Sequence, residues 1–219
     1  MRFIIKYLIF IIVVFTPNIT FGLIEVDITR GNLNPLPIAV SPLFVEKQSA
    51  KNFEKTLEIE NIGSSISNVV ENNLKSSGLF NPLKKEAFLQ KPEIAHLKPR
   101  FEDWSLIKAQ ALITGEVKYE NEKLRVEFRL WDVLAGKEMM ALAFTTVPKN
   151  WRRVGHIITD KVYERLTGEK GYFDTRLIYV AEEGPKTKRI KKLAIMDQDG
   201  FNTKYLTLGN ELVLTPRFN

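Results

Sequence analysis

Residues 111–146 read ALITGEVKYENEKLRVEFRLWDVLAGKEMMALAFTT, and this segment decides the fold prediction. Ala111–Tyr119 is predicted to be a strand, and Asn121 and Glu122 form the turn after it. From residue 124 to 130 apolar side chains alternate with charged ones, which is typical of a half-buried strand. A turn at Ala135 and Gly136 leads into a third strand, Glu138–Thr146. The segment therefore predicts a three-stranded meander.

Two amphipathic helices flank this meander in the sequence. Apolar residues recur every four positions between Val154 and Leu166, and Gly168 follows as a left-handed C-cap. Upstream, the apolar residues of 62–74 fall on one helical face, and Gly78 is placed to end that helix in the same way. These patterns predict helices that each bury one face against the sheet.

The remaining segments before residue 111 are more irregular. Pro37–Val45 reads as one buried strand, and residues 46–60 are charged and read as a loop. Asp103 is placed to cap a short helix from about Trp104 to Gln110. Together with the meander and helices, these elements predict an α+β domain over residues 35–170, built as a two-layer sandwich.

The character of the chain changes after Gly171. Short strands are predicted at Arg176–Ala181, Lys191–Met196 and Lys204–Leu208, with a tight turn at 197–200 between the last two. Three short strands with regular turns, and a fourth begun, predict the first blade of a β-propeller over residues 171–219, incomplete at the end of the chain. We therefore expect the sequence to be the N-terminal part of a longer propeller protein.

The N-terminus has the layout of a secretory signal peptide. A basic start with Arg2 and Lys6 precedes a short apolar run, and Pro17 and small residues up to Gly22 follow. The alternative is a membrane anchor, but the apolar stretch is shorter than the roughly 20 residues that a spanning helix needs. We expect cleavage after Gly22, so that residues 1–22 are removed and the protein is exported.

The predicted mature chain begins with a short amphipathic strand. Ile24, Val26 and Ile28 alternate with polar residues, and a flexible breaker follows up to Pro35. Residues 23–34 are therefore predicted to be a tethered strand. Such a strand can pair with its own domain or with the sheet edge of a partner.

Composition and motifs argue against several kinds of chemistry. The chain has no cysteine, two histidines and a net charge of +6 from 32 basic and 26 acidic residues, which is too mild to indicate nucleic acid. No phosphate-binding loop or Gly-x-Ser-x-Gly elbow is present. Asp197 and Asp199 suggest a turn rather than a calcium loop, and the lysines of residues 186–192 a solvated hairpin. His96 and His156 are interpreted as structural or surface residues. We predict no catalytic, cofactor-binding or metal-binding residues.

Several segments together resemble the TolB family, the periplasmic propeller proteins of the Tol–Pal envelope system. The most specific block is DKVYERLTGEKGYFDTRLIYV at residues 160–180. The other matching segments are PIAV at 37–40, LKSSGLFNPL at 74–83, ALITGEV at 111–117, MDQDGFN at 196–202 and TPRFN at 215–219. The resemblance covers essentially the whole chain.

This resemblance implies an α+β N-terminal domain, a six-bladed propeller and a periplasmic, non-enzymatic coupling protein without cofactors. Such a protein links inner-membrane TolA to the outer-membrane lipoprotein Pal, for envelope integrity and for outer-membrane constriction during cell division. By matching position, binding to the TolA C-terminal domain is expected of the mature N-terminal strand. Its residues are Leu23, Ile24, Glu25, Val26, Asp27, Ile28, Thr29 and Arg30. Pal is expected to bind the propeller, mostly outside this chain, and the membranes are reached only through the partners.

Two rival functions stay open at this point. Propellers of this repeat type also precede serine peptidase domains, so the chain could be the front part of an exported peptidase whose nucleophile lies beyond residue 219. RNA binding is the second rival, because the shape of the N-terminal domain is shared with anticodon-binding modules. Predicted export from the cytoplasm argues against it.

Overall fold

A computed structural model of the chain describes residues 34–57, 59, 61–209, 213 and 216–218. Its larger unit is a six-stranded sheet in the order β3-β1-β4-β5-β6, with β2 paired to β4 as well. β1, β2 and β3 run parallel to their neighbours, whereas β4, β5 and β6 form an antiparallel meander. The strands are β1 Leu36–Val40, β2 Phe44–Val45, β3 Phe80–Pro82, β4 Ala111–Glu120, β5 Lys123–Asp132 and β6 Lys137–Thr146.

The predicted meander is confirmed. Asn121 and Glu122 both have positive φ, at 49° and 60°, which is the turn geometry that a two-residue hairpin between right-twisted strands requires. Leu124, Val126 and Phe128 of β5 point into the core, as their alternation predicts. The residues between them lie on the opposite, partly exposed face of the sheet.

In the described residues, the α-helices of this unit are α1 Lys47–Leu57, α2 Ile62–Ser76, α3 Pro92–Ala95, α4 Phe101–Leu106 and α5 Trp151–Thr167. Both predicted amphipathic helices are present as α2 and α5, and they pack on each other and on one face of the sheet. Gly78 and Gly168 have φ of 73° and 76° after these helices, as expected of left-handed C-terminal residues.

The loop predicted for residues 46–60 is wrong, because Lys47–Leu57 is a helix. Its Phe53 is fully buried and meets Tyr119 edge-on, with ring centroids 5.1 Å apart. The Ser49 hydroxyl accepts a hydrogen bond from Tyr119 N at 3.1 Å. Burial of the Phe53 side chain therefore stabilises a helix whose other residues are mostly charged or polar.

Two further local predictions are wrong. Pro37–Val45 is not one strand, because the chain breaks between β1 and β2 after Val40. The short helix begins at Phe101, so that Asp103 lies inside its first turn rather than at its cap. Trp104 is fully buried against a second, smaller apolar cluster on the other face of the sheet, where its indole N–H donates to Gln90 Oε1 at 3.1 Å.

The second unit is a three-stranded antiparallel sheet of β7 Arg176–Glu183, β8 Ile190–Asp197 and β9 Lys204–Tyr205. All three predicted strands are present, although β9 is shorter than predicted. The tight turn after β8 is also present, with Gly200 at φ 87°. The structure is thus an α+β sandwich followed by an unclosed sheet, as expected of a truncated propeller. In the part of the chain that the structure describes, no helix is long and apolar enough to cross a membrane.

Candidate functional site

The predicted partner-binding strand, Leu23 to Arg30, and the predicted signal peptide lie outside the described residues, so their roles stay predictions. The structure describes the first strand of the sandwich, which follows the predicted tether in the sequence. Leu36 N donates to Leu79 O and Gln110 N donates to Pro37 O, both at 2.9 Å. β1 therefore has hydrogen-bonded neighbours on both sides from its first residues, and it anchors the tether in the sheet interior.

A linker of residues 168–174 runs from the end of α5 back along that helix to the blade. The Asp160 carboxylate accepts two backbone hydrogen bonds, from Phe173 N at 2.6 Å and from Asp174 N at 3.1 Å. A Cβ atom at Gly171 would lie 2.4 Å from Asp160 Cα, so this close approach requires glycine. Phe173 is fully buried beside Tyr163. The linker, which lies within the sequence block of residues 160–180, is therefore folded against α5.

Ion pairs also join α5 to the linker and blade. The Arg153 guanidinium makes a bidentate contact with Asp174, with Nε–Oδ1 and Nη2–Oδ2 distances of 3.0 Å. Arg152 pairs with Asp199 in the turn after β8, and its guanidinium carbon lies 3.8 Å from the centroid of the Phe201 ring. Both residues of the Arg152–Asp199 pair have side chains less than a fifth exposed, so the pair is shielded from bulk water.

His156 lies at the centre of this joint and is 2% exposed. Its Nδ1 lies 2.8 Å from Asn73 Nδ2 of α2. The same Asn73 Nδ2 donates to Thr159 Oγ1, while Asn73 Oδ1 accepts a hydrogen bond from Gln198 Nε2 of the blade turn at 3.1 Å. We call this set of residues (Asn73, His156, Thr159, Gln198 and Asp199) the His156 centre. It links α2 and α5 to the first blade through buried side chains of the sandwich and half-buried side chains of the blade turn.

The hydrogen-bond partners assign the tautomer of His156. Thr159 Oγ1 donates to Gly155 O at 2.8 Å, so it can only accept from Asn73. Asn73 therefore directs its NH₂ group at Thr159 and at His156 Nδ1, which must accept. The neutral ring then carries its proton on Nε2, which lies 3.8 Å from Asp199 Oδ2 and has no hydrogen-bond partner within the described part of the chain.

Burial lowers the pKa of His156 below its ordinary value of about 6.5, because desolvation disfavours the imidazolium. The carboxylates of Asp199 and Asp197 oppose this effect, while Arg152 adds to it. The environment of the ring in this structure therefore favours its neutral form. The sequence indicates a structural or surface residue near a polar edge; the structure instead places His156 at the buried centre of a network.

The ligand atoms of His156, Asp197 and Asp199 lie within 4.8 Å of one another, which raises the question of a metal ion. Two features of the cluster oppose it. The Nε2 atom carries a proton in the assigned tautomer, and Asp199 is already neutralised by Arg152. The tight turn at 197–200 is confirmed by a hydrogen bond from Gly200 N to Asp197 O at 3.0 Å. The cluster thus fits an ion-pair junction better than a cation site.

A polar cavity of about 370 Å³ is lined by His156 and lies between the first turn of α5, the linker and the blade. The three arginines in its lining, at positions 152, 153 and 176, face carboxylates of Asp199, Asp174 and Asp197 respectively. Such a charged, paired lining is typical of a hydrated joint between domains rather than of an apolar ligand pocket.

The two other groups singled out in the sequence have local partners. In the basic hairpin, Arg189 and Lys191 pair with Glu182, and Lys192 pairs with Glu183 across the β7–β8 ladder. These pairs favour the solvated-hairpin interpretation over a phosphate site. The His96 ring stacks on Phe44 with centroids 4.3 Å apart, and its Nδ1 lies 2.9 Å from Pro92 O. His96 is therefore a packed structural residue.

The fold and the joint define a class: an α+β sandwich that is tied by a buried polar network to the first blade of a β-propeller. Comparisons with known proteins give the family. A family model described as the TolB amino-terminal domain matches residues 24–139, and one described as the TolB beta propeller domain matches residues 163–219. The chain belongs to the TolB family.

Individual relatives agree with this assignment. The chain is 78% identical over 214 residues to the Tol-Pal system protein TolB of Pelagibacter ubique (strain HTCC1062), covering 98% of this chain and 48% of that protein. The crystal structure of TolB from Acinetobacter baumannii shares the fold, with a TM-score of 0.63 at 22% identity over 84% of this chain and 41% of that chain. The chain thus spans about half the length of these relatives.

Proposed function

We propose that this chain forms the N-terminal part of a non-enzymatic periplasmic protein that couples TolA to Pal in the Tol–Pal system. The observation that carries the proposal is the 78% identity to a Tol-Pal system TolB across nearly the whole chain. The order of domains supports it, because the TolB amino-terminal domain model and then the TolB propeller model match this chain in succession. Export by the predicted signal peptide would place the protein in the periplasm.

In this proposal the strand of residues 23–30 binds the TolA C-terminal domain by adding to its sheet. Backbone pairing then supplies most of the affinity, and Ile24, Val26 and Ile28 supply alternate side-chain contacts. The way the tether joins β1 supports this arrangement. Since β1 is hydrogen-bonded on both sides from Leu36 onward, a pull on the strand is resisted by the interior of the sheet rather than by its edge.

The test is a titration of the full-length protein against the TolA C-terminal domain. Val26→Pro removes a ladder donor and fixes φ, so we expect binding to weaken by about 10- to 100-fold, which corresponds to a lost hydrogen bond of about 1–3 kcal/mol. Glu25→Gln changes only a rim charge, and we expect less than about fivefold. Deletion of residues 23–34 should abolish binding.

Two outcomes would contradict this proposal. Unchanged affinity after the deletion would place the TolA site elsewhere in the chain. Equal losses for Val26→Pro and Glu25→Gln would mean that charge rather than backbone pairing carries the contact. A parallel titration with Pal serves as the control for folding, because Pal is proposed to bind the propeller and should bind the deletion variant with undiminished affinity.

A further inference from the structure

The His156 centre combines three features that structural packing alone does not require. Its imidazole is buried; among the residues that the structure describes, its Nε2–H has no hydrogen-bond partner, and its Nδ1 accepts from Asn73, which also holds Gln198 of the blade. The NH₂ group of Asn73 thus bonds to residues of the sandwich, and its carbonyl oxygen accepts from Gln198 of the blade. The protonation state of the ring is therefore coupled to the contact between the two units.

Adding a proton to this ring conflicts with the network. An imidazolium is a donor at both nitrogens, so Nδ1–H would face the NH₂ group of Asn73 across 2.8 Å. Asn73 must then turn its amide, which takes its oxygen away from Gln198 Nε2. The turned oxygen faces Thr159 Oγ1, which lies 3.3 Å from the amide nitrogen now and already donates to Gly155 O. Gln198 would have to turn its own amide as well to recover a bond.

Charged groups around the ring do not remove this conflict. The carboxylate of Asp199 is already paired with Arg152, whose positive charge repels an imidazolium. α2 faces the ring with the neutral Asn73. The charged groups that act on the ring from the blade turn, the linker and α5 are Asp199, Asp197, Asp174 and Arg152.

We propose that the His156 centre is a proton-operated latch: the neutral imidazole holds the blade turn against α2 and α5, and a proton on the ring releases it. This goes beyond coupling of TolA and Pal, because it is a property of the joint itself and needs no partner. The released turn comprises residues 197–201. Its contacts with the sandwich include the Gln198–Asn73 hydrogen bond, the Asp199–Arg152 ion pair and the Arg152 guanidinium on the Phe201 ring.

The sign of the pH effect follows from the lowered pKa of His156 in the closed joint. The open joint exposes the ring to water, where its pKa is about 6.5, so the open form binds the proton more tightly. Closure is therefore fully stable above about pH 6.5 and weakens as the pH falls below it. If the His156 ring has a pKa of about 6.5 in the open joint, binding of one proton raises the equilibrium constant for opening by at most about tenfold between pH 7.5 and pH 5.5.

The test measures hydrogen exchange of the backbone amides at 197–201 in the full-length protein at pH 5.5, 6.5 and 7.5. His156→Asn keeps a neutral acceptor near the position of Nδ1 but cannot titrate. His96→Asn is the matched control, since the chain has only these two histidines. Comparing each variant with the wild type at the same pH cancels the intrinsic dependence of exchange on pH.

We expect opening at 197–201 to increase up to tenfold from pH 7.5 to 5.5 in the wild type and in His96→Asn, and to stay constant in His156→Asn. The same pH profile in the wild type and His156→Asn would overturn the latch, as would loss of the dependence in His96→Asn. An NMR titration of the two histidine rings in the wild type tests it without variants, because a pKa of 6.5 or higher for His156 would also overturn it.

Discussion

Asp160 is predicted to be the side chain that fixes the linker between the sandwich and the blade. Its two carboxylate oxygens accept from Phe173 N and Asp174 N. Asp160→Asn keeps one acceptor oxygen and turns an NH₂ group toward the other amide, so one hydrogen bond to a charged group is lost. Such a bond contributes about 1.5–3 kcal/mol, and we take about 2 kcal/mol as the expected loss in the free energy of unfolding.

Thermal unfolding of the full-length protein, followed by circular dichroism, measures this effect. About 2 kcal/mol corresponds to a fall in Tm of roughly 4–8 °C for a unit of this size. Glu164→Gln is the matched control, because it makes the same carboxylate-to-amide change on the same helix. Glu164 is about half exposed and pairs only with Lys161, so no measurable change is expected.

The position of the effect can be checked as well as its size. If Asp160 holds the linker, Asp160→Asn should speed amide exchange at Phe173 and Asp174 while leaving β4 and β5 protected. Equal Tm values for Asp160→Asn and Glu164→Gln would refute the reasoning, since the two carboxylates would then contribute alike despite their different partners. A loss spread evenly over the sandwich would show that Asp160 stabilises α5 rather than the linker.

Three further predictions concern packing and processing. In Gly155→Ala the new Cβ lies 2.8 Å from Val69 Cγ1, so α5 and α2 become overpacked. The free energy of unfolding, measured by urea denaturation, should fall by about 1–3 kcal/mol. Val69→Ala in the same chain should recover part of this loss. Phe53→Ala empties a fully buried site and should cost about 3–5 kcal/mol in the same assay, whereas a small effect would mean that α1 is not part of the core. N-terminal sequencing of periplasmic protein should begin at or within a few residues of Leu23, and recovery of an intact Met1 form would contradict export.

The elements whose apolar residues recur with a fixed period could be predicted from the sequence. The alternation in β5 and the four-residue spacing in α5 are local patterns, and each is produced by burial of one face. Gly78 and Gly168 mark helix ends because only a residue without a Cβ adopts positive φ at little cost. Such signals need no knowledge of what the element packs against.

Helix α1 was missed because its apolar signal is sparse. The sequence KQSAKNFEKTL carries only Ala50, Phe53 and Leu57 as apolar residues, and charged or polar residues fill the other positions. Their spacing of three and four residues is helical, and it could have been found by counting matches rather than by judging overall charge. Phe53 fixes the helix through contacts with residues far along the chain, which no local window contains.

The His156 centre could not be predicted, because its members are distant in the sequence. Asn73 is 83 residues from His156 and 125 residues from Gln198. Asparagine, glutamine and histidine at such separations form no motif, and each of them has a surface interpretation by itself. Only the packing of α5 on α2, and the return of the linker along α5, brings them together.

The contrast between the sandwich and its joint bears on how two distant binding events could be coupled in such a protein. The sandwich core is close-packed, and a close-packed core changes between discrete arrangements rather than deforming gradually. Coupling between the tether on β1 and the propeller therefore needs an element with two arrangements. α2 contacts both β1 and α5, and its Asn73 holds Gln198 of the blade in this structure; the proposed latch adds a second amide orientation in which that bond is lost. In the proposed latch, a movement of the blade turn is coupled to the orientation of the Asn73 amide, and Asn73 transmits this change to α2 of the sandwich.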